Sequence, residues 1–339
     1  MPLEDAQYHE ANPKPQSNLP TPLEYLEFDV LPVEKPKPQI KDILDAASRM
    51  IFGGAAKTYK SWGMCDLAVS MACAVPWLDF DTFFSPGLYV NFELKEYYFQ
   101  QRLRWICEAK NVKLKKNALQ VWNLRGYEIS FQPFIDELSW FIDRHQRKIV
   151  YVDPFYKLLG NKDERISADI NPILLAFDKV NRNTGCSIVA SAHFAKGNQS
   201  HRDPAERISG GGSLNRDPDS LLTFSGHENK GEFVLDFTLR DHPPIDAFTV
   251  QWNKPLLLRC NSDPSKLKRQ KASADQYEPE LLFQVIADND DKFSTEELIK
   301  VAIKELGWAR RTVINKLNQL KKTKKIYLGK ISEKWNVKP

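Results

Sequence analysis

Apolar residues recur along this chain with two different periods, and the switches between them divide it into elements. Short apolar runs that read as buried strands occur at residues 50–52, 88–92, 149–152 and 187–192. Between them lie stretches with an apolar residue every three to four positions, the spacing of a helix with one buried face, at 61–74, 96–110, 134–145 and 170–183. A further short helix is expected at 42–49, just before the first strand. Strands alternating with helices in this way predict parallel strands joined by crossover helices, an α/β fold. Strands are expected again at 221–224, 233–239 and 248–252. They follow a polar, glycine-containing segment, residues 196–216, that is too long for an ordinary connection.

The two ends differ from this middle. Pro13, Pro15, Pro20, Pro22, Pro32, Pro36 and Pro38 fall in residues 1–39, where they block regular structure and predict an extended arm. At the other end, helices are expected at 279–287, 295–306 and 309–321, then a strand pair near 326–328 and 335–337. Three helices and a small hairpin are the order of a winged helix-turn-helix. The expected organisation is therefore an arm over 1–39, an α/β domain over 40–262, a basic linker over 263–276 and a winged-helix-like domain over 277–339.

Composition adds boundaries. With 42% hydrophobic and 27% charged residues the chain has the balance of a globular protein. Its longest apolar runs fall far short of the roughly 20 residues that cross a bilayer. The polar start at Pro2, Leu3, Glu4 and Asp5 predicts no secretory signal and a cytoplasmic location. Five scattered cysteines without a Cys-x-x-Cys pair signal neither a disulfide framework nor a zinc site. The net charge of +4 is unevenly spread: the chain from Lys266 onward is strongly basic, while the part before it is slightly acidic. A basic C-terminal part suits nucleic acid, or is simply a solvated face.

Candidate chemistry concentrates at strand ends. Gly54-Ala55-Ala56-Lys57-Thr58-Tyr59-Lys60-Ser61-Trp62 lies between an apolar strand and a helix, the context of a phosphate-binding loop. Its backbone amides would wrap the phosphates of ATP, Lys60 would reach the β- and γ-phosphates, and the Ser61 hydroxyl would ligate Mg²⁺. Tyr59 stands where such loops carry a glycine before the lysine, so the backbone there has fewer conformations open to it. Asp153 ends the strand at 149–152 and would hold a water of the Mg²⁺ shell. Glu93, after the strand at 88–92, could orient the attacking water, and His193, after the strand at 187–192, could sense the γ-phosphate. Each feature also has a plainer reading: a coincidental Gly/Lys turn, an aspartate capping a turn, a glutamate at a helix start and a structural histidine.

Taken together, this order of loop, Glu93, Asp153 and His193, followed by Arg207-Ile208-Ser209-Gly210-Gly211-Gly212-Ser213-Leu214 and Asp219, resembles the RecA-like P-loop ATPases related to the hexameric plasmid replicative helicase RepA. The resemblance covers about residues 40–259 and is most specific at Lys57 to Trp62 and at Ala192-His193 with the serine- and glycine-rich segment that follows. It implies a RecA-like core, ATP at the interfaces of a ring, most simply a hexamer, and single-stranded DNA in its centre. On that resemblance Lys60 and Ser61 are nucleotide ligands, Glu93 the catalytic carboxylate, Asp153 the magnesium-side residue and His193 the sensor. Arg207 matches the arginine finger that completes a neighbour's site, with Arg240 a second candidate. Lys196, His201, Arg202 and Arg216 would face DNA phosphates. In the C-terminal part, residues 307–316 read as a turn and recognition helix, with Lys321, Lys322, Lys324 and Lys325 continuing its basic face toward double-stranded DNA. Two other classes fit the same residues: a DNA-binding replication or regulatory adaptor whose nucleotide site is degenerate, and a defence-system or mobile-element ATPase whose ring recruits an effector.

Overall fold

The computed structural model describes residues 19–55, 58–160, 167–193, 214, 217–268, 279–289, 292–323, 325–329 and 333–337. It divides into two compact units, Met1–Pro36 and Lys37–Pro339. In the first, the described residues hold one short helix, α1 (Tyr25–Asp29), with no buried residue. The expected arm thus contains one turn of helix, started by Glu24, whose N–H donates to Glu27 Oε2 at 3.3 Å.

The second unit opens with β1 (Pro38–Ile40) and β2 (Leu44–Asp45), paired antiparallel. This pair replaces the helix expected at 42–49 and takes in Pro38, which had been assigned to the arm. The spacing of Ile43, Leu44, Ala46 and Ala47 imitates a helix, but Asp42 and Ala47 both adopt positive φ, 57° and 60°, which no helix interior accommodates. Pro38 occupies the first residue of its strand, where its missing N–H costs no ladder bond.

Among the described residues the main sheet contains nine strands in the order β11-β10-β9-β8-β3-β7-β6-β4-β5. They are β3 (Arg49–Gly54), β4 (Gly87–Asn91), β5 (Leu119–Asn123), β6 (Ile149–Asp153), β7 (Ser187–His193), β8 (Ser220–Gly226), β9 (Glu232–Leu239), β10 (Phe248–Asn253) and β11 (Leu256–Cys260). From β5 across to β8 all neighbours run parallel; β8 to β11 form an antiparallel extension. The sequence pattern did not disclose β5 or β11. β5 is an edge strand with no fully buried residue, so its side chains carry no strong apolar signal.

Helices cover both faces of the sheet. α2 (Lys60–Cys73) and α3 (Glu96–Ala109) pack over one, with Met64, Leu67, Phe99 and Ile106 meeting Met50, Phe52, Tyr89 and Tyr151. α4 (Phe131–His145) and α5 (Ser167–Thr184) pack over the other, with Leu138, Ile142, Ile173 and Phe177 meeting Ile51, Val90, Val150 and Ile188. Successive strand residues feed opposite cores, which explains why the central strands read as unbroken apolar runs. The result is an α/β fold with a large, mostly parallel sheet, consistent with a RecA-like core.

Residues 263–268, expected as linker, are held to the sheet. Lys268 N–H donates to the Gly226 carbonyl at 2.7 Å, and Leu267 bridges His227. Farther on, α6 (Pro279–Ala287), α7 (Thr295–Leu306) and α8 (Arg310–Lys322) surround their own core of Leu282, Leu298, Trp308, Val313, Leu317 and Trp335. A hairpin of β12 (Ile326–Leu328) and β13 (Trp335–Val337) follows. α7 starts with a capping box between Ser294 and Glu297. It stops at Gly307, whose φ of 65° is the left-handed cap that glycine adopts at least cost.

Candidate phosphate-loop site

The site grows from the junction of β3 and α2. Gly54, the last residue of β3, has no room for a side chain: a Cβ would lie 2.9 Å from both the Phe224 carbonyl oxygen and Thr58 Oγ1. The chain then turns back so that Thr58 Oγ1 donates to the Ala55 carbonyl at 2.8 Å. Lys60 follows, buried, with Nζ donating to the carbonyls of Gly54 at 2.7 Å and Ala55 at 2.8 Å. Its ammonium closes the loop on itself. Burial pulls the Lys60 pKa down to about 8, against the opposing pull of the Asp153 and then the Glu93 carboxylate. Ser61 is half-buried one residue into the helix. Ala56 and Lys57, both expected in the loop, lie outside the described residues.

Tyr59 immediately precedes the helix, at φ 62° and ψ 18°. This left-handed conformation is the one glycine would adopt without strain, and for another residue it costs about 1–2 kcal/mol. An aromatic setting offsets the cost. The Tyr59 ring stacks on Trp252 with centroids 4.2 Å apart and meets the edge of Phe233 at 5.4 Å, contacts of about 0.5–1.5 kcal/mol each. Trp62 continues the cluster, 5.0 Å from Trp252, with the Arg102 guanidinium 4.5 Å over its ring.

Parallel pairing brings the other strand ends to the same edge. Gly54 pairs with His193 of β7, and Asn91 of β4 pairs with Asp153 of β6. Asp153 is 2% exposed, and each carboxylate oxygen accepts one hydroxyl. Tyr89 OH donates to Oδ2 at 2.9 Å and Ser191 Oγ to Oδ1 at 2.6 Å. Each oxygen keeps a lone pair. A hydroxyl and a carboxylate are the hard oxygen donors that Mg²⁺ takes, so Ser61 as direct ligand and Asp153 through a water fit that ion.

Glu93 is exposed, beyond a turn built by Asn91. The Asn91 Oδ1 accepts the N–H groups of Glu93 at 3.3 Å and Leu94 at 2.9 Å, while its Nδ2 donates to Asn123 Oδ1 at 3.0 Å. A cleft of ≈ 540 Å³ opens beside this turn, lined by Phe92, Leu124, Tyr127 and Lys157 among others. His193 is half-buried, and burial together with the Lys60 charge lowers its pKa, with Asp153 opposing; the imidazole is therefore neutral at neutral pH.

The structure thus assembles Lys60, Ser61, Glu93, Asp153 and His193 on one edge. It does not bring Arg240 there. Arg240 follows β9 at the opposite edge, where its guanidinium meets Asp219 Oδ1 at 3.3 Å. Arg207 and the expected DNA contacts Lys196, His201, Arg202 and Arg216 lie outside the described residues. Sequence reasoning missed Tyr89, Ser191, Asn91 and Trp252. Tyr89 and Ser191 carried a faint signal, as hydroxyls within strands otherwise apolar; Trp252 carried none.

No curated protein matches this chain. Among solved structures, a KaiC-like protein of the hyperthermophilic archaeon Pyrococcus horikoshii is a distant likeness, at 12% identity and a TM-score of 0.47 over 66% of this chain and 94% of that one. Residues 13–199, which carry the loop, Glu93, Asp153 and His193, match the AAA domain, and the chain belongs to that family.

Proposed function

We propose that this protein is a Mg²⁺-dependent ATP hydrolase that works with DNA, as a RepA-like helicase or a related DNA-associated motor or switch. The observation that carries the reading is the buried Lys60 ammonium, which binds the carbonyls of its own loop while the carboxylates of Asp153 and Glu93 act on it from neighbouring strands. Phosphate oxygens would replace those carbonyls as partners of Lys60, and the first-turn amides of α2 would add their dipole. Mg²⁺ would neutralise charge between the β- and γ-phosphates, held by Ser61 and, through water, by Asp153. Glu93, at the open end of its turn, orients the attacking water. The neutral His193 beside Gly54 detects the γ-phosphate by hydrogen bonding.

Oligomerisation follows from the need for a cation on the transferring phosphate. Arg207 is the residue proposed to act on a neighbour's site, with Arg240 the alternative; Arg240 sits too far around the sheet to serve its own loop. A ring of such subunits, a hexamer on the RepA pattern, would enclose single-stranded DNA. The helices α6 to α8 with their hairpin are read as a winged helix that contacts duplex DNA. Its exposed cations include Arg311, Lys321 and Lys322, whereas Arg310 is paired with Glu296 at 2.8 Å and Lys325 with Glu280 at 2.8 Å, and Lys324 lies outside the described residues.

ATP hydrolysis measured with no DNA, single-stranded DNA and duplex DNA, on protein of known oligomeric state, tests the reading. Turnover that DNA stimulates and Lys60→Ala abolishes is expected; wild-type turnover in Lys60→Ala would overturn it. Strand displacement separates a helicase from a switch or recruiting ATPase. The adaptor with a degenerate site draws on Tyr59, and binding of nucleotide without hydrolysis would favour it.

A further inference from the structure

The antiparallel extension of the sheet meets the phosphate loop around Tyr59. Trp252, near the end of β10, donates its N–H to the Gly231 carbonyl at 2.8 Å and pairs with Leu257 of β11. Leu257 in turn packs toward α2 at Gly63, where an added Cβ would stand 3.7 Å from it and 3.2 Å from the Phe224 ring. The absence of a side chain at Gly63 therefore lets the Phe224 ring of β8 lie close against the first turn of the helix, with Leu257 of the β10–β11 hairpin in ordinary contact beside it. Trp252 then lies flat on the Tyr59 ring, 4.2 Å away with planes inclined by 27°, while Phe233 of β9 blocks its edge.

We infer that Trp252 is a positioning residue for the phosphate loop, holding Tyr59 in the left-handed conformation that glycine would otherwise supply before Lys60. A tyrosine at φ 62° lies about 1–2 kcal/mol above the extended and right-handed regions, so contacts that hold its ring raise the fraction of molecules that keep it there. Leaving it rotates the peptide that joins Tyr59 to Lys60, which moves both the Lys60 N–H and the start of α2. The fraction of molecules with a loop ready for phosphate then falls, and the apparent dissociation constant rises by the inverse of that fraction. The residue acts through Tyr59 and touches no phosphate. Its effect belongs to nucleotide binding and disappears where glycine makes the holding unnecessary.

This inference rests on the nucleotide-binding reading, and its test is a double-mutant cycle on the full chain with MgADP as probe, read by calorimetry. Trp252→Ala is expected to weaken MgADP about tenfold, while Trp252→Phe, which keeps a stacking ring, loses little. In a Tyr59→Gly background the same Trp252→Ala change is expected to have no effect. Tyr59→Ala, which keeps the Cβ but loses the ring, should weaken MgADP about as much as Trp252→Ala; it decides the matter even if Trp252→Ala fails to fold. Unchanged affinity in Tyr59→Ala and Trp252→Ala, or an equal loss from Trp252→Ala with and without Tyr59→Gly, overturns the inference alone. A wild-type chain that binds neither MgADP nor MgATP overturns the nucleotide-binding reading and this inference with it.

Discussion

Lys60 sets the chemistry of the loop through its surroundings as much as its identity. Its pKa of about 8 makes nucleotide affinity depend on pH in a defined direction. Below that pH the ammonium is already charged and phosphate finds its partner; above it, binding must also take up a proton, because phosphate raises the lysine's pKa. MgADP affinity is expected to be level between pH 6 and 7.5 and to fall by about tenfold per unit once pH passes the free value. Calorimetry in buffers of different ionisation enthalpy would show proton uptake at pH 9, and Lys60→Ala would remove it. Asp153 gives a second prediction at this scale. Its carboxylate is oriented by two hydroxyls from the strands on either side. Hydrogen bonds to charged groups contribute about 1.5–3 kcal/mol, so Tyr89→Phe and Ser191→Ala should each raise the Mg²⁺ concentration needed for half-maximal turnover about tenfold, with little change at saturating Mg²⁺. Lys60, Ser61 and Asp153 were legible because each ends a recognisable strand or starts a recognisable helix. Tyr89 and Ser191 were not, since nothing local says that β4 and β7 flank β6.

Among the elements, the β3–α2 junction is the most constrained. Gly54→Ala would place a Cβ 2.9 Å from a backbone carbonyl that cannot swing away. The variant is expected to lose nucleotide binding and about 1–3 kcal/mol of stability, checked by MgADP titration beside denaturant unfolding. At the other end, Ser294 starts α7 by accepting the Glu297 N–H and caps it reciprocally. Ser294→Ala should cost about 0.5–2 kcal/mol, seen as earlier unfolding of the helical C-terminal part while nucleotide binding is unaltered. The periodic elements were read from the sequence with their types and approximate limits, because a buried helix face or strand must repeat its apolar residues. The exceptions are instructive. At 42–49 local spacing suggested a helix. There Arg49 begins a strand with its guanidinium 2.9 Å from Asp178 and Asp217, partners far along the chain.

For the whole molecule, the described arginines toward the phosphate-loop edge include Arg102, which lies over Trp62, and Arg125, just past the end of β5, and the proposed ring adds Arg207 from a second subunit. Arg207→Ala should leave MgADP binding intact and abolish turnover, and mixing it with Glu93→Gln subunits should recover a measurable part of the activity. No recovery in mixed assemblies would count against action in trans. The C-terminal cations make a separate prediction: Arg311→Ala, Lys321→Ala and Lys322→Ala should each weaken duplex binding without regard to sequence and reduce the salt slope by about one. Unchanged salt dependence would assign that face to solvent.

Local pattern alone determined the α/β class, the place of the loop and the strand ends that carry charge. Periodicity and glycine, lysine and serine at fixed offsets are properties of a few consecutive residues, which a sequence displays directly. The tertiary structure decided which strands are neighbours, and hence that Tyr89 and Ser191 hold Asp153 and that Arg240 stands at the far edge. It also decided the meaning of Tyr59. Read in sequence, that residue is a glycine lost from a phosphate loop; in the fold, its ring meets a tryptophan nearly two hundred residues later, and stacking holds the turn that glycine would have made freely.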